Sequence, residues 1–222
     1  FDIGDLTCLV GKNEAGKTAV LSALYGVKTF GQNFVYDKVR DYPRRYLTRY
    51  ADRHGGNEAE VATTTWELSP DDHAAVAAVI GEGALKDALI DITIHYGGNQ
   101  TWNVHVDEDK VRTELLKQHG VEGQELANLS KTPFANLLTE AGAQSEPSDA
   151  LKALKLQIGK FREGRPALAA IDALSNRLPV FFYTSHFDRM SGEVSLERLN
   201  RDQRNGEPVS AGDQIFLDFL DY

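Results

Sequence analysis

The sequence predicts an α/β fold, in which a mixed sheet carries an antiparallel portion and a helical insertion. A short apolar run at residues 6–10 leads through a glycine-rich turn into a stretch with helical spacing, the pattern of a buried strand followed by a helix. Residues 90–106 alternate between apolar and polar around a Gly-Gly-Asn-Gln turn, which predicts an antiparallel hairpin. Helical stretches follow between residues 108 and 162.

Composition sets the class of protein. The chain has 222 residues, 41% of them hydrophobic, and a formal net charge of −9. This predicts one large folded domain, or a domain with an insertion, and excludes a wholly basic nucleic-acid-binding surface. No apolar run reaches the roughly 18 residues of a membrane span, so we expect a cytoplasmic protein with no membrane partner. The single Cys8 lies in an apolar run, which predicts a buried thiol.

The remaining elements are predicted from spacing and turn residues. Ser69, Pro70 and two aspartates form a helix start with an N-cap hydroxyl and acids in the first turn. Residues 30–56 show no clear period. Strands are predicted at 60–68 and 178–183. Helices are predicted at 17–29, 108–119, 124–141 and 147–162, with a short helical piece near 194–200 and an amphipathic helix at the end of the chain.

This order of elements divides the chain into three parts. Residues 1–107 hold the glycine-rich turn, its helix and the β portion. Residues 108–175 are predicted to be a helical insertion. Residues 176–222 contain a return strand and a C-terminal segment. Because the chain starts without Met and ends within a helical pattern, we expect it to be a piece of something longer.

The glycine-rich turn carries the clearest chemistry. Gly11, Gly16, Lys17 and Thr18 match the G-x-x-x-x-G-K-T pattern of a P-loop in full. Glycines let the loop curl so that several backbone N–H groups meet a phosphate chain, and the N-terminus of the next helix adds a positive dipole. Lysine supplies a cation for the β- and γ-phosphates, and the threonine hydroxyl is a hard oxygen ligand for Mg²⁺. The predicted ATP-binding residues are Gly11, Lys12, Asn13, Glu14, Ala15, Gly16, Lys17 and Thr18, with Thr18 as the metal ligand.

The alternative interpretation is a glycine-rich turn that matches by accident, or a nucleotide pocket that has lost activity. The four fixed positions coincide by chance in under ~1% of chains of this length. The motif must also follow a buried strand and open a helix, and the sequence pattern predicts both.

Residues 9–24 also resemble the first motif of the ABC-type ATPase heads in the SMC, RecF and OLD (overcoming lysogenization defect) proteins. The specific matches are Asn13, Ala15 and a Ser22-Ala23-Leu24 turn in the following helix. Residues 41–45 and 63–68 are similar, with weaker specificity, to OLD-like bacterial AAA family ATPases. The resemblance implies a P-loop NTPase fold, ATP and Mg²⁺ as ligands, and a head that dimerises around two nucleotides. It also implies an effector such as a nuclease, a DNA partner, and a role in DNA transactions or antiphage defence.

The sequence departs from that family beyond the first motif. No Ser-Gly-Gly signature, no apolar run ending in Asp-Glu, no downstream switch histidine and no Toprim nuclease module is visible. We therefore expect the complete protein to hydrolyse ATP as a dimer, whereas this segment lacks the catalytic acid, and no catalytic residue is assigned. The alternative is a nucleotide-sensing scaffold that binds ATP in order to assemble with a partner and hydrolyses it little or not at all.

Two weaker groupings remain open. Five arginines interleave with tyrosines between residues 40 and 53, and they either touch phosphate or form a solvated surface balanced by Asp37, Asp41 and Asp52. A polar group after residue 183 suggests a plain loop more than a metal or catalytic site. Its members are His186, Asp188, Arg189 and Glu193. Trp66 and Trp102 are predicted to pack within the sheet.

Overall fold

A computed structural model describes residues 2–30, 34–143, 147–184 and 194–220. The chain is mixed α/β, about half helical, with a three-stranded antiparallel sheet. The α/β class and the antiparallel portion are thus confirmed. The strands are β1 (Glu60–Glu67), β2 (Leu89–His95) and β3 (Gln100–Asn103). The helices are α1 (Lys17–Tyr25), α2 (Lys38–Asp41), α3 (Arg44–Leu47), α4 (Tyr50–His54), α5 (Pro70–Ile80), α6 (Glu108–Gln118), α7 (Gly123–Leu129), α8 (Phe134–Gly142), α9 (Asp149–Ile158), α10 (Pro166–Ser175), α11 (Leu196–Asn205) and α12 (Ala211–Leu220).

The chain forms two compact units. The first unit comprises Phe1–Val61, Tyr96–Gly98 and Pro179–Tyr222, and it contains the glycine-rich turn at residues 11–18. The second unit comprises Ala62–His95 and Asn99–Leu178. Most of the sheet and helices α5–α10 belong to the second unit. Among the described helices, none combines the length and apolar character that crossing a bilayer requires.

The sheet of the second unit has one apolar and one polar face. The strands lie in the order β1–β2–β3, and Ile92 faces Trp102 across the hairpin, so the predicted hairpin is confirmed. Ile92 and its neighbours two residues away on β2 are at most 2% exposed. On the other face the Thr63 and Thr93 hydroxyls lie 2.9 Å apart. Strict alternation therefore buries one side chain in two, as expected for a half-covered antiparallel sheet.

Helices α5–α10 build the hydrophobic core of the second unit. Leu115, Leu137 and Leu154, from three of these helices, are fully buried in one cluster with residues of the sheet. Trp66 and Trp102 pack against the edge of this cluster, as predicted. The predicted start of α5 is confirmed by a complete capping box, in which the Ser69 side chain accepts from the Asp72 backbone and the Asp72 carboxylate accepts from Ser69. Helix α10 lies within the helical insertion predicted at 108–175, although its own bounds were not predicted.

One glycine of the second unit sits against a neighbouring helix. Gly81 ends α5 with φ 97° and ψ 155°, a conformation open almost only to glycine. A Cβ built there would lie 2.5 Å from the Cβ of Glu114 in α6. Helices α5 and α6 can therefore approach this closely only because residue 81 has no side chain.

Tyrosines hold the middle of the first unit together. Tyr36, Tyr42, Tyr50 and Tyr96 are buried and meet edge to face, for example Tyr42 and Tyr50 with ring centroids 4.8 Å apart. Burial, together with the nearby Asp41 carboxylate, raises the pKa of Tyr36 to about 12. The three short helices α2–α4 lie in the stretch for which the sequence showed no period. Their packing is anchored by these buried tyrosines.

The prediction of a regular return strand at 178–183 was wrong. The segment is reduced to one parallel bridge between Thr29 and Phe181, in which the Phe181 amide donates to the Lys28 carbonyl at 2.8 Å. Phe182 is 40% exposed, so this segment is not buried as a central strand would be. Helix α1 also ends at Tyr25, four residues before the predicted boundary.

Candidate nucleotide-binding site

The eight predicted ATP-binding residues form one exposed turn that opens α1. Helix α1 begins at Lys17, directly after the glycine-rich stretch, as the motif requires. Lys17 is half-buried and the other seven residues are exposed. The predicted site residues are therefore together at a helix N-terminus and open to solvent.

The loop curls through two left-handed residues. The Ala15 amide donates to the Lys12 carbonyl at 3.2 Å, which closes a tight turn. Within that turn Glu14 has φ 64°, which is uncommon for a residue other than glycine. Gly16 follows with φ 86° and ψ 9° as the N-cap of α1. Successive backbone N–H groups in a turn that contains such residues can form a concave surface that holds anions.

The Lys17 side chain folds back onto the start of the loop. Its Nζ donates to the carbonyl of Gly11 at 2.9 Å and to that of Lys12 at 2.7 Å. These contacts hold the cation within the loop. No signal in the sequence identified the two carbonyls as partners, because any residue type provides a backbone carbonyl.

The N-terminus of α1 is free to receive an anion. Gly16 offers no capping side chain, and no acidic residue occupies the first turn. The first N–H groups of a helix have no partner within it, and together with the helix dipole they favour a bound negative charge. Thr18 lies in this first turn with its side chain exposed. Its hydroxyl is a hard oxygen of the kind Mg²⁺ prefers.

The two glycines of the motif differ in what the structure demands of them. Gly16 needs its left-handed φ of 86°, which costs other residues roughly 1–2 kcal/mol. Gly11 has no such requirement, since a Cβ there would meet only the Cβ of Ala15 at 3.4 Å, an ordinary contact. Steric demand within the chain therefore accounts for Gly16 but not for Gly11.

The segment before the loop departs from the sequence prediction. Residues 6–10 were predicted to form a buried strand, and this was wrong: they form no strand, with Leu6 94% and Val10 90% exposed. Cys8, predicted to be buried, is exposed as well. An extended segment becomes a strand only when a neighbour accepts its backbone hydrogen bonds, and no described residue does so here.

The polar group after residue 183, singled out in the sequence, is not described by the structure. His186, Asp188, Arg189 and Glu193 lie outside the described residues. Among the residues that the structure does describe, no three histidine, cysteine or acidic side chains gather as a metal site. Comparisons of the chain with protein-family models, curated proteins and solved structures found no significant match.

Proposed function

We propose that residues 11–18 are a P-loop that binds Mg-ATP, within an ATPase head like those of SMC, RecF and OLD proteins. One observation supports this most strongly: Lys17 begins a helix directly after left-handed Gly16, and its amine is held by two carbonyls of the same loop. A phosphate chain needs a cation, free N–H groups and room, and this turn offers all three.

Each residue has a distinct part in the proposed complex. Lys17 exchanges the carbonyls of Gly11 and Lys12 for β- and γ-phosphate oxygens, to which an ammonium group binds with a stronger, charge-assisted hydrogen bond. The N–H groups at the start of α1 bind further phosphate oxygens. Thr18 fits Mg²⁺ because its hydroxyl is exposed in the first turn of α1. The metal would neutralise part of the phosphate charge.

Thr18 separates a metal-binding role from general phosphate binding. We expect Thr18→Ser to retain Mg²⁺-dependent ATP binding, because it keeps the oxygen. Thr18→Val keeps the shape without the oxygen and should lose about tenfold in affinity for Mg-ATP. Calorimetric titration with ATP, with and without Mg²⁺, measures both. Equal Mg-ATP binding by Thr18→Val and the parent chain would contradict the metal role of Thr18.

Hydrolysis also requires a carboxylate that orients water beside the γ-phosphate, and charge stabilisation from a second protomer. The acidic residues closest in sequence to the loop are Asp2, Asp5 and Glu14. Glu14 lies inside the turn, where a carboxylate facing the phosphates would repel them. We propose that the complete protein hydrolyses ATP as a homodimer or larger homo-oligomer, and thereby gates a DNA-processing or antiphage-defence effector such as a nuclease.

The segment alone is therefore expected to release phosphate from ATP no faster than its Lys17→Ala variant. A steady-state phosphate-release assay on both proteins measures this. Lys17-dependent turnover by the segment would mean that one of its own carboxylates serves as the catalytic group.

The rival function is a nucleotide-sensing scaffold that binds ATP and hydrolyses it little or not at all. The same assay on a dimer of the complete protein distinguishes the two functions, since only an ATPase releases phosphate there.

A further inference from the structure

Positive charge is concentrated in one short part of the first unit. Residues 38–54 contain six lysines or arginines and two aspartates, in a chain whose net charge is −9. They fold into the three short helices α2–α4. We define the arginine face as Arg44, Arg45, Arg49 and Arg53, all of which are exposed.

Two of the three acidic residues expected to balance this charge, Asp37 and Asp41, are engaged elsewhere, and Asp52 makes no ion pair with these arginines among the described residues. The Asp37 carboxylate caps α2 by accepting from the backbone amides of Val39 and Arg40 at 2.9 and 2.8 Å. Asp41 pairs with Arg40 at 2.8 Å. Among the described residues, no member of the arginine face comes within 4.0 Å of a carboxylate oxygen. Its positive charge is therefore not neutralised by a direct ion pair within this part of the chain.

One tyrosine gathers two of these arginines. The guanidinium carbon of Arg45 lies 4.5 Å from the centre of the Tyr46 ring, and that of Arg53 lies 4.3 Å from the same centre. The Arg53 amide donates to the Arg49 carbonyl at 3.0 Å, so these two lie one helical turn apart on the same face. Like charges at this spacing cost about 0.2–0.5 kcal/mol, which a bound polyanion would relieve.

Contact with the Tyr46 ring does not use the guanidinium N–H groups, which are the groups that bind phosphate. Arg45 and Arg53 lie over the Tyr46 ring at cation–π distance, and a guanidinium so placed can still bind two oxygens of one phosphate through its N–H groups. Hydrogen bonds hold the tyrosines on which helices α2–α4 rest. The Tyr42 hydroxyl lies 2.9 Å from His54 Nε2, and the Tyr50 hydroxyl donates to Glu58 at 2.7 Å. Little further ordering of the backbone is needed for binding.

We propose that the arginine face binds the phosphodiester backbone of a nucleic acid. A single strand presents a continuous row of unit charges, so a short stretch can reach Arg45, Arg49 and Arg53 together. The net negative charge of the chain repels any polyanion at long range, so binding depends on the local excess of arginines. A narrow single strand can reach these while covering less of the acidic surface than a folded protein would. Phosphate contacts carry no sequence information, so binding is expected to be independent of sequence. The proposal does not depend on nucleotide binding at Lys17.

Fluorescence anisotropy with labelled DNA of about 20 nucleotides, single-stranded and duplex, tests whether the arginine face binds nucleic acid. The test variant is Arg45→Gln/Arg49→Gln/Arg53→Gln. The matched control is Lys117→Gln/Lys131→Gln/Lys160→Gln, which removes the same charge from exposed positions of the second unit. We expect the arginine variant to lose about tenfold or more in affinity, with a salt dependence shallower by about two in logarithmic slope. The control should stay close to the parent chain.

Three further measurements distinguish loss of the arginine face from misfolding, from failure of the nucleotide proposal and from binding of another polyanion. If the triple variant fails to fold by circular dichroism, Arg49→Gln alone, which does not touch the Tyr46 ring, should still weaken binding. Lys17→Ala should bind DNA like the parent chain, which separates failure here from failure of the nucleotide proposal. Equal losses in the arginine and lysine variants would overturn the proposal. So would competition by polyglutamate as effective as that by unlabelled DNA, because it would identify an acidic polypeptide as the ligand.

Discussion

Lys17→Ala is expected to lower the affinity for Mg-ATP at least tenfold, or about 1.4 kcal/mol, without unfolding the chain. The lysine amine is the one side-chain cation that the structure places against the loop carbonyls, among the described residues. Without it, only backbone dipoles and Mg²⁺ compensate the β- and γ-phosphate charge. Alanine is a good helix former, so the start of α1 should persist. Isothermal titration calorimetry measures the affinity.

Lys12→Ala is the matched control for this experiment. Lys12 belongs to the same loop and carries the same charge, and its side chain is exposed. It contributes its carbonyl to Lys17, which alanine retains. We expect Lys12→Ala to bind ATP within a few-fold of the parent chain. Equal binding by the parent chain and Lys17→Ala would remove the proposed function altogether.

Gly81→Ala is expected to lower the free energy of unfolding by about 3 kcal/mol. The backbone conformation of Gly81 costs other residues roughly 1–3 kcal/mol, and overpacking adds a similar amount. The new methyl group would meet the Cβ of Glu114 at 2.5 Å, so α5 and α6 would have to separate. Urea unfolding followed by circular dichroism measures the change.

Gly120→Ala separates the two causes. Gly120 also has a positive φ, of 64°, but a Cβ there would meet nothing within 4 Å. It should therefore cost about 1 kcal/mol from the backbone alone. A loss for Gly81→Ala no larger than that for Gly120→Ala would show that contact with α6 contributes nothing.

The sequence predicted those elements whose signals are local. Ser69, Pro70 and Asp72 identify the start of α5 within four residues of chain, and the structure has the complete capping box there. The hairpin of β2 and β3 was equally clear, because alternation and the turn glycines Gly97 and Gly98 specify it together. Each of these signals needs no information about distant residues.

The predicted strands at 6–10 and 178–183 show where such reasoning stops. Both are apolar runs of strand length, yet neither forms a regular strand here. An apolar run reports that burial would be favourable, but it does not show whether another strand is present to accept its hydrogen bonds.

For the candidate site, the motif predicted position but not internal contacts. The eight residues are contiguous, so the sequence alone brings them together, and the prediction that a helix starts at Lys17 is confirmed. Backbone curvature determines which carbonyls Lys17 contacts. It also determines that Arg45 and Arg53 approach the same ring. The types of the residues involved do not predict that curvature.

The exposure of Cys8 has a practical consequence. It is the one cysteine of the chain, and it lies three residues before Gly11. A thiol open to solvent reacts readily with maleimides, so a single fluorophore can be attached next to the loop without engineering away other thiols. A change in its emission when ATP is added would track events at the loop in real time, including rates that calorimetry cannot resolve. The same exposure makes a reducing agent necessary during storage, because two such chains can join through an intermolecular disulfide.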